Sequence, residues 1–210
     1  IFQNKGDGTF IKDEASLSVI DGLTSFVIIQ ADFADVDNDG YLDLLVAGSP
    51  TRTDKYQSGL LLLHNNGHGK YTDASSSLPS ELGIIEQVKT ADMDSDGDLD
   101  IIIMNDHGNV RIMRNDGGNL NNYLKVRLAG LRTGSSKNNY FGFGSKVEVK
   151  SGGLYQMRHV DKAVSHFGLG NRAGADVVRV LWSNGVPQNR FNPQNNQTIV
   201  ETQILKGSCP

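Results

Sequence analysis

Two acidic stretches decide the fold of this 210-residue chain, because their polar positions match one another along their whole length. The first reads Ala34-Asp35-Val36-Asp37-Asn38-Asp39-Gly40-Tyr41-Leu42-Asp43. The second reads Ala91-Asp92-Met93-Asp94-Ser95-Asp96-Gly97-Asp98-Leu99-Asp100. Both have the form Asp-x-Asp-x-Asp-Gly-x-Leu-Asp, and they lie 57 residues apart. A fixed period of this size is typical of a repeat protein in which each repeat forms one supersecondary unit.

A second marker repeats with nearly the same period. Asn4-Lys5-Gly6-Asp7-Gly8-Thr9-Phe10 matches Asn65-Asn66-Gly67-His68-Gly69-Lys70-Tyr71, 61 residues later. Between the markers lie short apolar runs bounded by Gly, Asn or Asp, which predict β-strands. These runs are residues 26–30, 44–47, 60–63, 70–72, 88–90, 101–104 and 110–113. We therefore predict an all-β fold with four-stranded blades: a partial β-propeller of about two loop-bearing blades and the end of a preceding one.

Each acidic stretch brings several carboxylate oxygens to one point. Calcium takes six to eight oxygen ligands in flexible geometry, and glycine permits the sharp turn that such a loop needs. We therefore predict two Ca²⁺ sites, each with four aspartate carboxylates and one backbone carbonyl, that of Tyr41 or Asp98. The predicted ligands are Asp35, Asp37, Asp39, Tyr41 and Asp43 in the first loop, and Asp92, Asp94, Asp96, Asp98 and Asp100 in the second.

Three other interpretations of the acidic loops fit less well. An EF-hand needs glutamate at loop position 12, where this chain has Val46 and Ile103. Magnesium resists losing its waters to a cage made entirely of protein ligands. An acidic turn without metal stays open as an alternative, although two copies with matched flanks favour the metal site.

The charge distribution divides the chain into two parts. Residues 1–123 hold 8 Lys and Arg against 20 Asp and Glu, whereas residues 124–210 hold 12 against 4. The balances are −12 and +8, which predicts two domains, 1–120 and 121–206. No apolar run is long enough to predict a membrane span. Cys209 has no second cysteine in the chain to form a disulfide.

These motifs carry a family resemblance. The acidic loops and the Asn4-to-Phe10 marker resemble FG-GAP/VCBS repeats, the blades of integrin α-like propellers. Residues 121–205 resemble the ASPIC/UnbV module that follows such repeats in the cartilage acidic protein family and in bacterial exported homologues. The matching segments of that module are residues 123–128, 143–147, 166–170 and 178–185. The resemblance implies an exported protein, located extracellularly, on the cell surface or in the periplasm, with blades preceding Ile1.

The expected function is that of a non-enzymatic, calcium-binding scaffold with a protein or glycan ligand, within a larger surface assembly. No catalytic residues and no nucleic-acid ligand are predicted, and the oligomeric state stays open. The alternative is an accessory region of an extracellular enzyme acting on polysaccharide or another polyanion, with its active site elsewhere. The cations of the second domain, including Lys146 and Lys150, are interpreted as surface neutralisation in preference to an anion site.

Isolated features receive structural interpretations. A zinc site formed by His64 and His68 is disfavoured, because His64 ends a strand-like run and His68 lies in a turn. The segments 142–144 and 168–170, both Gly-x-Gly, are predicted turns. Trp182 is predicted to pack in a core, and His166 to have a structural role.

Overall fold

The structure is a computed structural model that describes residues 2–12, 26–51, 58–131 and 138–204. Its described elements are sixteen β-strands and two single 3-10 turns, Ser75–Ser77 and Gly118–Leu120. The all-β prediction is therefore confirmed. Within these described ranges, no helix is long and apolar enough to cross a membrane.

The chain divides into two compact units. The first unit comprises residues 1–36, 41–95 and 99–116, and the second comprises residues 37–40, 96–98 and 117–210. The tips of both acidic loops therefore belong to the second unit. Each unit is described separately below.

The first unit contains three antiparallel sheets. A two-stranded hairpin is formed by β1 (Phe2–Asn4) and β2 (Phe10–Lys12). A four-stranded sheet has the order β3 (Phe26–Ala34), β4 (Asp43–Pro50), β5 (Leu60–Asn65) and β6 (Tyr71–Asp73). A three-stranded sheet has the order β7 (Ile85–Ala91), β8 (Asp100–Asn105) and β9 (Val110–Met113).

The sequence repeat is also a structural repeat. Ala34 pairs with Asp43 across the first acidic loop, and Ala91 pairs with Asp100 across the second. The register slips by one residue at Ile29 in β3 and again at Glu86 in β7, 57 positions later. Such β-bulges bend a strand and redirect the adjacent side chains. The Asn4-to-Phe10 and Asn65-to-Tyr71 markers form equivalent hairpins.

A shared apolar core joins the two larger sheets of the first unit. Leu45 and Leu60 from one sheet and Ile85, Val88 and Ile103 from the other belong to this core, and each is at most 2% exposed. Leucine and isoleucine at alternate positions supply this core because successive strand residues point to opposite faces.

One glutamine ties the two repeats together. After the bulge in β3, the Gln30 amide donates to the Val88 carbonyl at 3.0 Å and accepts from the Val88 amide at 2.9 Å. The equivalent glutamine of the second repeat, Gln87, is exposed. β7 is an edge strand, and the N–H and carbonyl of Val88 point away from its neighbour β8. The side-chain amide of Gln30 thus provides hydrogen-bond partners for both groups.

The second unit is built from two sheets. The three-stranded sheet has the order β13 (Ser165–Gly170), β10 (Asn122–Ala129) and β16 (Gln197–Thr202), with β10 and β16 parallel. The four-stranded antiparallel sheet has the order β12 (Leu154–His159), β11 (Lys146–Ser151), β14 (Val177–Leu181) and β15 (Pro187–Phe191).

Both sheets of the second unit contribute to one core. Leu124, Phe167 and Leu169 from the three-stranded sheet meet Val149 and Val180 from the four-stranded sheet, and each is at most 1% exposed. Trp182 is also part of this core, as the sequence predicts, and its indole N–H donates to Gln188 Oε1 at 3.3 Å. The arrangement is a two-layer β-sandwich.

Two sequence predictions about strands are wrong. Residues 168–170, predicted as a turn, lie in β13, because Phe167 and Leu169 alternate into the core while Gly168 and Gly170 pair with β10. The second acidic repeat contains three described strands and not four, because the chain enters the 3-10 turn Gly118–Leu120 soon after β9. Strands β12 and β15 were not predicted.

Candidate metal centre

Each acidic loop connects the first two strands of its sheet. The first loop joins β3 to β4, and the second joins β7 to β8. Within the first loop, carboxylate oxygens of Asp35, Asp37 and Asp39 all lie within 4.8 Å of one another. The equivalent residues of the second loop, Asp92, Asp94 and Asp96, form a group of the same kind. Each group arises within its own short segment, so the spacing of the aspartates along the chain alone brings the three carboxylates of a group together.

The spread of these oxygens suits a calcium ion. Calcium–oxygen distances are about 2.3–2.6 Å, so two ligands on opposite sides of the ion lie at most about 5 Å apart. Carboxylate oxygens that lie within 4.8 Å of one another can therefore contact a single calcium ion. Carboxylate oxygen is also the donor type that calcium prefers, so the residues present fit the ion that the sequence predicts.

The backbone of both loops turns in the same way. Asn38 and Gly40 have φ values of +58° and +98°, and the equivalent Ser95 and Gly97 have values of +68° and +103°. Glycine adopts positive φ without a steric penalty, and asparagine tolerates it better than most residues. The repeated left-handed positions fold the alternating aspartates inward in both loops.

The fourth aspartate of each loop is a buried hydrogen-bond acceptor. Asp43 is fully buried and accepts from the backbone N–H of Val36 at 3.1 Å and of Asn65 at 2.8 Å. Asp100, 1% exposed, accepts from the backbone N–H of Met93 at 2.8 Å and of Asn115 at 2.9 Å. These carboxylates therefore close the loops structurally, and their predicted role as metal ligands is additional to this one.

An asparagine at or just beyond the end of each sheet's third strand braces the loop from outside. The Asn65 amide donates to the Leu42 carbonyl at 3.0 Å, and the Asn115 amide donates to the Leu99 carbonyl at 3.3 Å. Asn115 also donates to the Val36 carbonyl at 2.7 Å. Neither residue was predicted as part of the site. Their signal in the sequence is the Asn-x-Gly pattern that both share.

His64 lies beside the first loop. Its Nδ1 is 3.1 Å from Asp43 Oδ1, and it forms with Asp37 and Asp43 a further group whose ligand atoms lie within 4.8 Å. His68, by contrast, is exposed in the hairpin turn. The structure therefore does not bring His64 and His68 together as a pair but places His64 against a predicted calcium ligand.

The remaining predicted ligands flank the aspartate groups. Tyr41 is half-buried, and its ring lies against Gly67, where any β-carbon would come within 2.4 Å of Cε2. Asp98 is fully buried, and its backbone N–H donates to Asp96 Oδ1 at 3.2 Å. The ligand roles of the Tyr41 and Asp98 carbonyls stay predictions.

Within the second unit, Asn38 connects both loop tips. Its amide donates to the carbonyls of Gly97 at 2.9 Å and Gly118 at 3.0 Å. Its Oδ1 is 2.6 Å from His166 Nε2, and its carbonyl accepts from the Gly170 N–H at 2.7 Å. His166 stacks on Tyr123, with ring centroids 5.8 Å apart. These contacts give His166 the structural role predicted from sequence.

Comparison with protein families agrees with this geometry. Residues 35–103 match the family described as FG-GAP-like repeat, and this range contains both acidic loops. Residues 134–204 match the family described as ASPIC and UnbV, which covers most of the second unit's sandwich. A comparison with curated proteins gives no match. The chain therefore contains an FG-GAP-like repeat region at residues 35–103, with the features of propeller blades, followed by an ASPIC/UnbV domain at residues 134–204.

Proposed function

We propose that this protein is a calcium-binding, non-enzymatic scaffold that acts outside the cytoplasm and binds a protein or glycan partner. The observation that carries the proposal is the pair of equivalent aspartate groups, each with ligand atoms within 4.8 Å. Each group would hold one Ca²⁺ ion. Residues Asp35, Asp37 and Asp39 would bind the first ion, and Asp92, Asp94 and Asp96 the second.

The buried carboxylates support a cation at each loop. Asp35 is 2% exposed, and Asp43 and Asp100 are almost fully buried. Several carboxylates at such close range repel one another unless a cation or protons offset their charge. A bound calcium ion would offset this repulsion and hold each loop in one conformation.

The metal's proposed role is structural. The aspartates of each loop are already engaged in loop-closing hydrogen bonds, such as that from the Asp39 N–H to Asp37 Oδ1 at 3.2 Å. Calcium affinities of extracellular modules are about 10⁻⁴–10⁻³ M, a range that suits occupation outside the cytoplasm. The resemblance to exported proteins supports the same location.

Calcium titration of the chelator-treated chain tests this function. We expect two ions to bind, with an increase in melting temperature, since a ligand at about 100 times its Kd stabilises a fold by about 2.7 kcal/mol. Asp37→Asn and Asp94→Asn occupy equivalent positions, so each should remove one site and keep the other. Asp161→Asn, an exposed aspartate outside both loops, is the matched control. Absence of calcium binding, with no change in melting temperature, would refute the proposal.

A further inference from the structure

The outer side of the four-stranded sheet in the second unit is an exposed surface of mixed aromatic and basic character. Alternate residues of these strands, such as Val149 and Val180, point into the core, so the others point outward. We call this surface the outer face. It consists of Tyr155, Met157 and His159 on β12, Lys146, Glu148 and Lys150 on β11, Val177, Arg179 and Leu181 on β14, and Pro187, Asn189 and Phe191 on β15.

The strand register aligns these side chains in rows across the sheet. Lys150 pairs with Tyr155 on one side and with Val177 on the other, and Val177 pairs with Phe191. Tyr155 is 61% exposed and Phe191 is 68% exposed. With neighbouring strands about 4.8 Å apart, the backbone positions of these two residues lie roughly 14 Å apart at opposite edges of the sheet.

The outer face carries three cations and one carboxylate. Arg179 Nη1 is 3.6 Å from Glu148 Oε2, and its Nε donates to Asn189 Oδ1 at 3.2 Å. Lys146 and Lys150 form no ion pair within the described part of the chain, and they lie four residues apart on β11. At about 3.3 Å per residue, their backbone positions are roughly 13 Å apart.

We propose that the outer face binds an acidic polysaccharide whose carboxylates are separated by neutral sugars. Exposed aromatic rings offer apolar faces for sugar rings, while the two lysines attract the carboxylates. Glu148 and Asn189, in the row between the lysines, provide acceptors for sugar hydroxyl groups.

The spacing of the charges distinguishes this ligand from a nucleic acid. A nucleic-acid strand carries one phosphate about every 3.4 Å, which is far denser than two lysines roughly 13 Å apart. Glu148 would also repel a dense row of phosphates. A polysaccharide with one carboxylate per two sugars meets the lysines at wide intervals and leaves neutral hydroxyls beside Glu148.

The Tyr155 hydroxyl fits the same ligand class. Desolvation, together with the neighbouring Glu148 carboxylate, raises the pKa of Tyr155. Because the Tyr155 hydroxyl hydrogen-bonds to the Glu148 carboxylate, its oxygen is available to accept a hydrogen bond from a sugar hydroxyl.

This inference rests on the proposed binding role but not on the calcium sites. Binding of calcium and binding of the polysaccharide are therefore measured separately on the same protein. The probe is a hyaluronan decasaccharide, in which carboxylated and neutral sugars alternate. A cello-oligosaccharide serves as the uncharged control, and an oligothymidylate strand as the phosphate polyanion. We expect calorimetry of the full chain to show preferential binding of hyaluronan, weakened between about 0.01 M and 1 M salt as the Debye length falls from about 30 to 3 Å.

Two pairs of variants locate the site. Tyr155→Ala and Phe191→Ala should each weaken hyaluronan binding by about tenfold, the size of an aromatic stacking contact. Lys146→Ala and Lys150→Ala should each weaken it about two- to fivefold, as expected for charges on the protein surface. The matched controls are Phe141→Ala and Lys162→Ala, which lie in loops outside the outer face and should leave affinity unchanged. Fluorescence of Trp182, the only tryptophan and 1% exposed, verifies that each variant is folded.

The outcomes separate this inference from the calcium proposal. Hyaluronan binding that falls in the four face variants but not in the controls supports the site, and calcium titration of those variants should still give two ions. Three results would overturn the inference. They are hyaluronan binding that is unchanged in the face variants, equal affinity for the cello-oligosaccharide, and tighter binding of oligothymidylate. A loss of calcium binding alone would contradict only the proposed function.

Discussion

Replacing Asp43 by alanine separates the structural role of the fourth loop aspartate from calcium binding. Asp43 is fully buried and accepts hydrogen bonds from the backbone N–H groups of Val36 and Asn65. In a chelator, no metal contributes to either the native protein or the variant. Any loss of stability under these conditions therefore comes from the protein's own contacts.

The magnitude follows from the two backbone donors that the variant leaves without this acceptor. Each buried unsatisfied donor costs about 1–3 kcal/mol, so Asp43→Ala should lower the free energy of unfolding of the first unit by about 2–6 kcal/mol. Asp37→Ala removes the bond from the Asp39 N–H at a half-buried position and should cost about 0.5–1.5 kcal/mol. Asp100→Ala repeats the first change in the second loop, where the donors are Met93 and Asn115, and should cost as much as Asp43→Ala.

Urea unfolding in chelator, followed by circular dichroism and by hydrogen exchange of the β4 and β5 amides, measures these differences. Trp182 belongs to the second unit, so its fluorescence reports that unit's unfolding independently. We expect Asp43→Ala to accelerate exchange in β4 and β5 far more than Asp37→Ala does. Equal effects of Asp43→Ala and Asp37→Ala in chelator would refute the assignment of Asp43 as a loop-closing acceptor.

Two further substitutions have matched controls within the chain. Gln30→Ala removes both hydrogen bonds to Val88 and should lower the free energy of unfolding by about 1–3 kcal/mol in a urea titration. Its control, Gln87→Ala, changes an exposed glutamine and should alter that free energy by less than about 0.5 kcal/mol. Equal effects of the two substitutions would contradict the role of Gln30 between the repeats. Gly97→Ala should lower the melting temperature more than Gly144→Ala, because both have positive φ but only at Gly97 would a β-carbon lie 1.9 Å from the Tyr123 ring. Calorimetric melting temperatures that are lowered equally would show that backbone strain alone determines the cost.

The sequence predicted that the alternate aspartates group together, because the three members of each group lie in one short segment. Alternate aspartates followed by glycine are enough to bring Asp35, Asp37 and Asp39 together, and the period of 57 residues transfers the same geometry to the second loop. The four strands of the first sheet could also be predicted from the sequence, because its leucine and valine runs are bounded by turn residues.

The parts that were missed depend on contacts distant in sequence. His64 reaches Asp43 only because β5 pairs with β4, which no local pattern reveals. Strand β15 begins with proline and contains mostly polar residues, so its composition indicates a loop, yet it pairs along β14 as an edge strand. The glycines of β13 concealed a buried strand for the same reason, since Leu169 enters the core only once β10 is alongside.

The parallel pairing of β10 with β16 also determines when the ASPIC/UnbV domain can fold during synthesis. β10 is the central strand of its sheet, yet its partner Gln197–Thr202 is translated about seventy residues later. Pairings of such long sequence separation form slowly, because loop-closure entropy is lost before the contacts compensate for it. The hairpins of β11–β12 and β14–β15 are local and can form on the ribosome as they emerge. One edge of β10 therefore stays unpaired until residue 202 has left the exit tunnel, and over that interval that edge is open to pairing with other chains.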